Sequence, residues 1–320
     1  MRFRILLLAI TIQCGAQERI LWTEPGNVEA IDFSLAAGNL DNSPRPPFYF
    51  VSEQFGGTSP KLQVRDAAGN GWRVKGGLET QSESFTTRLV AAIGYYADPT
   101  WLVDHGKIEA PGALKRAAGF IHPDGTFSNA SFELRDAKLK SISQDWIWSS
   151  NPFTGTKQLN GLKVLVMLVS NWDNKDARDR YAGSNTGISQ RRVAGRLQLI
   201  YHVKDWGQTL GAWGAELQPK GWNCGSFSAQ TRSFILGRQG RYIRFGFIGQ
   251  HTNDFKNDIT VDDVQWLLRY LDRISDQQIK AGLRASGAKA EEAACFGPQL
   301  RERINQLRRA ATEGGSFAGQ

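Results

Sequence analysis

Two aspartates stand where apolar segments run out. Leu165-Val166-Met167-Leu168-Val169 gives way to Ser170-Asn171-Trp172-Asp173-Asn174-Lys175-Asp176, and Ile200-Tyr201-His202-Val203 gives way to Lys204-Asp205-Trp206-Gly207. The first stretch reads as a helix breaking into a polar loop. The second reads as a buried strand ending in a sharp Asp-x-Gly turn. A carboxylate held at such an end can bind a hard cation or take a proton from a hydroxyl. Two of them side by side suit a metal-bound phosphate. The aspartates lie 205 − 173 = 32 residues apart, enough chain for a loop and a strand to bring them back together.

The complementary charges lie upstream. Phe48-Tyr49-Phe50-Val51, Leu62-Gln63-Val64-Arg65 and Trp72-Arg73-Val74-Lys75 read as three strands, with Gly56-Gly57 in the first connection and 66–71 as the second turn. Residues 79–95 follow with Phe85, Leu89, Val90, Ala92 and Ile93 at helical spacing. Unhindered Gly56 and Gly57 let backbone N–H groups approach phosphates, and Lys75 supplies positive charge. Glu83 on the helix is placed to hold that lysine, and Glu79, one turn earlier on the same face, is the second candidate for the ion pair.

This order resembles atypical kinases of the phosphatidylinositol-kinase-like and secretory-pathway-kinase-like groups. His202-x-x-Asp205-x-Gly207-x-x-Leu210-Gly211 looks like the metal-binding segment of lipid kinases. The resemblance implies an α+β, bilobal architecture: a small β-rich N-lobe with one helix, and a mainly helical C-lobe. It implies ATP and magnesium as cofactors, Asp173 as catalytic base or hydroxyl orienter, and Lys175 as a neutraliser of phosphate charge. It also implies Gly56, Gly57, Lys75 and Glu83 around the nucleotide and Asp205 on the metal. Protein kinases carry a metal-binding asparagine five positions after the catalytic aspartate, where this chain has Arg178. Asn174, Asp176 or Asp179 are the possible substitutes. The reaction implied is transfer of the ATP γ-phosphate to an acceptor hydroxyl that the sequence does not identify. The alternative is a catalytically inactive kinase-like or β-rich exported protein that binds an anionic, glycan or protein ligand.

The 320 residues are 41% hydrophobic, ample for a real core. Lys and Arg number 39 against 31 Asp and Glu, a formal charge of +8 that favours an anionic partner. No helix-turn-helix, zinc-finger or RNP-like string accompanies it, so nucleic acid is not the expected ligand. The four histidines are scattered and no Cys-x-x-Cys occurs, which excludes a structural zinc of ordinary spacing.

Met1-Arg2-Phe3-Arg4, the apolar run 5–12 and Gln13-Cys14-Gly15-Ala16 read as a secretory signal cleaved after Ala16. The expected location is therefore periplasmic or extracellular, with a lipid on Cys14 as the alternative. The apolar run is too short to span a bilayer, and no later segment has that length. Cys224 and Cys295 then remain, either paired or as two buried small hydrophobes.

The expected organisation is signal peptide 1–16, extension 17–47 with little regular structure, N-lobe 48–105, C-lobe 106–311 with insertions, and flexible tail 312–320. Residues 101–104 stand where a kinase runs its hinge, and 177–196 and 213–225 read as loops. A hairpin is expected from 233–236 and 242–247. Thr260 with Asp263 and Ser275 with Gln278 read as caps of two helices. Pro298 reads as the start of a third, whose Arg301, Arg303, Arg308 and Arg309 offer a basic face for peripheral contact with an anionic surface.

Overall fold

A computed structural model describes residues 17–37, 42–57, 59–142, 146–174, 185–215, 217–250 and 256–312. The expected signal segment with Cys14, the end of the tail, Lys175, Asp176, Arg178 and Asp179 lie outside them. The class is α+β. In chain order the elements are β1 (Glu18–Ile20), β2 (Phe48–Gln54), β3 (Lys61–Arg65), β4 (Gly71–Lys75), α1 (Thr80–Ala92), β5 (Thr100–Glu109), β6 (Thr126–Leu134), β7 (Lys140–Ile142) and α2 (Lys157–Leu168). They continue with β8 (Thr186–Val193), β9 (Arg196–Val203), α3 (Cys224–Thr231), β10 (Ile235–Gln239), β11 (Tyr242–Phe245), α4 (Val261–Leu271), α5 (Asp276–Ala285) and α6 (Ala290–Thr312).

Strict alternation drives the first unit. Leu62 and Val64 on β3, and Trp72 and Val74 on β4, point inward, and with Phe48, Trp101, Ile108, Phe127 and Phe132 they fill a closed barrel of order β2-β3-β4-β6-β5. Because side chains alternate, Arg73 and Lys75 leave the barrel on its outer side, beside α1. The lobe boundary expected after residue 105 falls within β5, and the barrel continues to Leu134 through β6. Residues 101–104 are therefore barrel strand rather than hinge, and the chain leaves the barrel through residues 135–139.

The second core is larger and joins α2, α4, α5 and α6 to one face of a four-stranded sheet, β1-β9-β8-β7. Helix α1 buries Phe85, Leu89 and Val90 in this core while its N-terminal turns face the barrel strand that carries Lys75. Capping boxes at Thr260 and Ser275 open α4 and α5 as the sequence predicts.

Among its described residues the extension holds only the three-residue β1, paired in parallel with β9, and a 3₁₀ turn, Val28–Ala30. Three expectations change. The polar stretch 177–196 contains β8, paired with β9 across a two-residue turn in which Ala194 and Gly195 both have positive φ. Strand pairing there overrides a composition poor in β-formers. Asn223 caps α3 by accepting from the Ser226 N–H, so that helix starts inside the expected loop 213–225. Finally, α6 begins eight residues before Pro298, carried by the strong helix formers of Ala290-Glu291-Glu292-Ala293-Ala294.

The arginines of α6 are not a free basic face. Arg301 pairs with Asp276, Arg308 with Asp272 and Arg309 with Glu302, and Arg303 is fully buried. None of the described helices is long and apolar enough to cross a membrane.

Cys224 and Cys295 form a disulfide that fastens the start of α3 to α6, with Cα atoms 6.2 Å apart. Their separation of 71 residues restricts the unfolded chain by about 4 kcal/mol in the chain-entropy account. The double variant Cys224→Ala/Cys295→Ala should lose about 2–4 kcal/mol in urea unfolding. Two titratable thiols in the denatured, unreduced wild type would show instead that the pair does not form.

Candidate functional site

Lys75 ends β4, where Gly76 and Gly77 break the strand. A side chain at Gly76 would collide with the ring of Phe120. The Lys75 Nζ donates to Glu83 Oε1 at 2.5 Å, both groups being buried, and Ser131 on the neighbouring strand donates to Glu83 Oε2 at 3.3 Å. The ion pair expected for Glu83 is present. Glu79 does other work: its carboxylate accepts from Ser59 Oγ at 2.9 Å and Gln208 Nε2 at 2.6 Å. It thereby links the glycine turn to the segment after Asp205.

Asp205 stands two residues beyond the end of β9 and is half-buried. Its Oδ1 accepts from the Gly207 N–H at 2.9 Å. Gly207 is required because a Cβ there would lie 2.6 Å from Glu79 Cβ, and its carbonyl accepts from Ser82 Oγ on α1. The Asp-x-Gly turn is thus packed onto the first turn of the helix that carries Glu83.

Asp173 lies in a short 3₁₀ turn, Trp172–Asn174, after α2. Three links hold it beside the Asp205 turn. The Trp172 N–H donates to Gln208 O, the Asn171 side chain to Asp205 O, and the Leu210 N–H to Val169 O. Asn185 closes the arrangement: its amide donates to the carbonyl and to Oδ2 of Asp173, each at 3.1 Å, and its own carbonyl accepts from the Lys204 N–H at 2.7 Å. One residue therefore ties Asp173 to the position before Asp205.

Burial works against the Lys75 ammonium, yet Glu83 foremost, then Asp205 and Glu133, hold it well above its ordinary value. Burial works to raise Asp205, but Lys75, the Gly207 N–H, Lys61 and Arg73 hold it below the usual carboxylate value. Burial pushes Glu83 up to about 7, helped by Asp205 and Glu133 and opposed by Lys75. Glu83, Asp205 and Glu133 thus share one neighbourhood with Lys75, Lys61 and Arg73, and Glu83 is the carboxylate pushed up.

Gly56 and Gly57 lie in an exposed turn. Arg116 donates to the carbonyls of Phe55 and Gly57 at 2.7 and 2.9 Å, and Glu53 accepts from the backbone N–H groups of Lys115, Arg116 and Ala117. Gly57 has φ 73°, which glycine adopts without strain. Its position beside Lys61 Nζ, 3.1 Å from where a Cβ would stand, sets a second lysine at the turn.

The residues missed at the sequence level are Asn171, Asn185, Lys61 and Arg116. Only Lys61, directly after Gly56-Gly57 and Pro60, carried a local signal. The backbone of Asn174 is described but its side chain is not, and Lys175 and Asp176 lie outside the described residues. Among the described residues no group of three or more His, Cys, Asp or Glu side chains could hold a metal unaided.

Below Arg73 a polar cavity of about 110 Å³ is lined by Asp98, Leu134, Arg135, Ser141, Ser189, His202 and Lys204. A larger open cavity of about 1030 Å³ lies along residues 20–25, 94–97 and 134–139 and includes none of Lys75, Asp173 and Asp205. The tryptophans Trp146 and Trp148 are buried against each other, their centroids 4.6 Å apart. They pack rather than bind.

No protein-family model matches the chain and no curated protein matches it. Solved structures similar to it are kinases. One is the Helicobacter pylori proinflammatory kinase CtkA, at TM-score 0.46 and 14% identity over 83% of this chain and 97% of that one. Another is the Golgi casein kinase with Mn/ADP bound, at 0.41 and 11% over 88% and 76%. A further structure of the Golgi casein kinase gives 0.40 and 11% over 91% and 78%. Likenesses of this size leave the chemistry to the geometry of the site.

His202 supplies a pH test of this packing. Its Nε2 lies 3.0 Å from Ser189 Oγ, and burial holds the ring down to about 4. A histidine kept neutral in the folded state contributes stability that is complete above about pH 6.5 and is lost as pH falls through the folded value. Between pH 7 and pH 5 wild type should lose roughly 2 kcal/mol more than His202→Gln in urea unfolding. Equal losses would show that the ring is already charged or exposed.

Proposed function

We propose that this protein is an exported, atypical kinase-like phosphotransferase that uses magnesium to transfer the γ-phosphate of ATP to an acceptor hydroxyl. The observation that carries the reading is the convergence of the Lys75–Glu83 pair on Asp205, with Asp173 fastened to the same turn through Asn171 and Asn185.

The donor set fits the group it would hold. Magnesium is typically bound by one or two carboxylates plus substrate phosphates and water, not by an all-protein cage. A single ionised carboxylate, Asp205, beside a buried lysine matches that pattern, and Asn174 and Asp176 are the further ligands proposed. Bound magnesium would neutralise phosphate charge. Lys75, fixed by Glu83, would hold the phosphates from the barrel side, and the N–H groups of Gly56 and Gly57 would approach them from the turn. Asp173 would take the proton of the acceptor hydroxyl as its oxygen forms the new P–O bond and the bond to the leaving ADP breaks. Lys175 would stabilise the charge on the transferring group. The base would enter the polar cavity beside Arg73, between residues 134–139 and the sheet face bearing Ser189 and His202. Export is supported by the N-terminal pattern and by a disulfide, which persists in oxidising compartments.

A nucleotide binding the folded state at 100 times its dissociation constant stabilises by roughly 2.7 kcal/mol, so millimolar Mg-ATP should raise the melting temperature measurably. Asp205→Asn should abolish the metal-dependent part of that binding in calorimetry. Asp173→Asn should keep the binding and lose turnover by a factor of 100 or more, on the order expected for removing a general base. Mg-ATP binding without transfer by wild type would favour the non-catalytic alternative. Undiminished Mg-ATP binding by Asp205→Asn would remove the metal assignment.

A further inference from the structure

Arg303 is wholly enclosed, 0% exposed. None of the ion pairs among the described residues includes it. Its guanidinium instead meets four oxygens on two separate elements. Nη1 donates to Leu168 O at 2.9 Å and Ser170 Oγ at 2.7 Å, Nη2 to Phe227 O at 3.0 Å, and Nε to Thr231 Oγ1 at 3.1 Å. The plane stacks on Phe227, 3.7 Å from its centroid, with Trp213 at 4.9 Å and Phe234 at 5.3 Å.

Leu168 is the last residue of α2, so its carbonyl has no partner further along the helix, and a cation there also meets the negative end of the helix dipole. Two residues on, Ser170 adopts φ 56°, the left-handed step that turns the chain out of α2 toward Asn171, Trp172 and Asp173. The same guanidinium group holds α3, which follows the Asp205 turn by way of Trp213. We propose that Arg303 is a positioning residue for phosphoryl transfer: from α6 it fixes the exit of α2 and thereby the placement of Asp173 against Asp205. This rests on the phosphotransferase reading above. Lysine cannot replace it, because an ammonium offers three donors at one point and cannot reach the four acceptors that the guanidinium fork meets.

The control is Gln306, one turn further along α6. Its side chain donates to Thr231 O at 2.9 Å and accepts from the Ile235 N–H at 3.3 Å, so it ties α6 to α3 and β10 without touching α2 or the Asp173 loop. Arg303→Lys and Gln306→Met should both destabilise the full-length chain. Only Arg303→Lys should lower kcat, by tenfold or more, with KM for ATP and the Mg-ATP-induced thermal shift unchanged. Gln306→Met should keep kcat within twofold of wild type. If Arg303→Lys does not fold, Ser170→Gly removes one acceptor while permitting the positive φ, and should lower kcat at least threefold with KM unchanged.

Hydrogen exchange separates this inference from the reading beneath it. Even if wild type transfers no phosphate, the amides of residues 169–174 and 207–210 should exchange at least tenfold faster in Arg303→Lys than in Gln306→Met. Equal exchange in the two variants, or equal kcat where wild type is active, overturns the positioning role. Faster exchange with an inactive wild type would uphold it and discard the phosphotransferase.

Discussion

The buried ion pair of Lys75 and Glu83 is the interaction on which the arrangement depends. It joins the barrel to a helix whose apolar face belongs to the other core, so it fixes the two units relative to one another. A buried pair is not in itself a large source of stability, because desolvating both charges costs about as much as their attraction returns. Here the field is further unbalanced: Asp205 and Glu133 raise Glu83 while they stabilise Lys75. Lys75 thus answers to Asp205 and Glu133 as well as to Glu83, while Lys61 and Arg73 also act on Asp205, so the pair belongs to a wider group of charges gathered around the turn.

The rest of the fold acts on that pair through short polar links. Helix α1 contacts the Asp205 turn through Ser82 and Glu79, and Thr86 meets Thr209 at 2.8 Å. Asn171 and Asn185 then carry the same turn to Asp173. These links join loops, not secondary-structure ladders, so their loss would change the spacing of the charges without unfolding either core. The disulfide and Arg303 play the corresponding part on the far side, holding α3 and α6 against the exit of α2.

Much of this was legible in the sequence because the signals are local. The alternation of Leu62, Val64, Trp72 and Val74 sets which way Lys75 points, and the helical spacing of Phe85 and Leu89 sets which way Glu83 points. Gly207 marks the turn at Asp205. What was not legible depends on contacts distant in sequence. Glu79 and Glu83 share a helix face, and only the packing of Gly207 against Glu79 assigns each its partner. Asn185 directly precedes Thr186–Val193, residues that read as loop and become strand only by pairing with β9. The Pro123-Asp124-Gly125 turn announces strand β6, but its pairing with β4 as well as β5 is a contact distant in sequence. The arginines of α6 look alike in sequence, yet three face acidic neighbours and Arg303 is enclosed by Phe227, Trp213 and Phe234.

The proposed function makes a spatial claim: Asp205 would hold a divalent cation, and Lys75 the phosphates of the same nucleotide. Crystals grown with manganese and a non-hydrolysable ATP analogue test it through the anomalous scattering of the metal. The account predicts a manganese peak at coordination distance from the Asp205 carboxylate, with a phosphate oxygen within hydrogen-bond reach of Lys75 Nζ and the Lys75–Glu83 pair intact. Nucleotide bound with no metal on Asp205, or bound in the large cavity along residues 20–25 and 94–97, would contradict it.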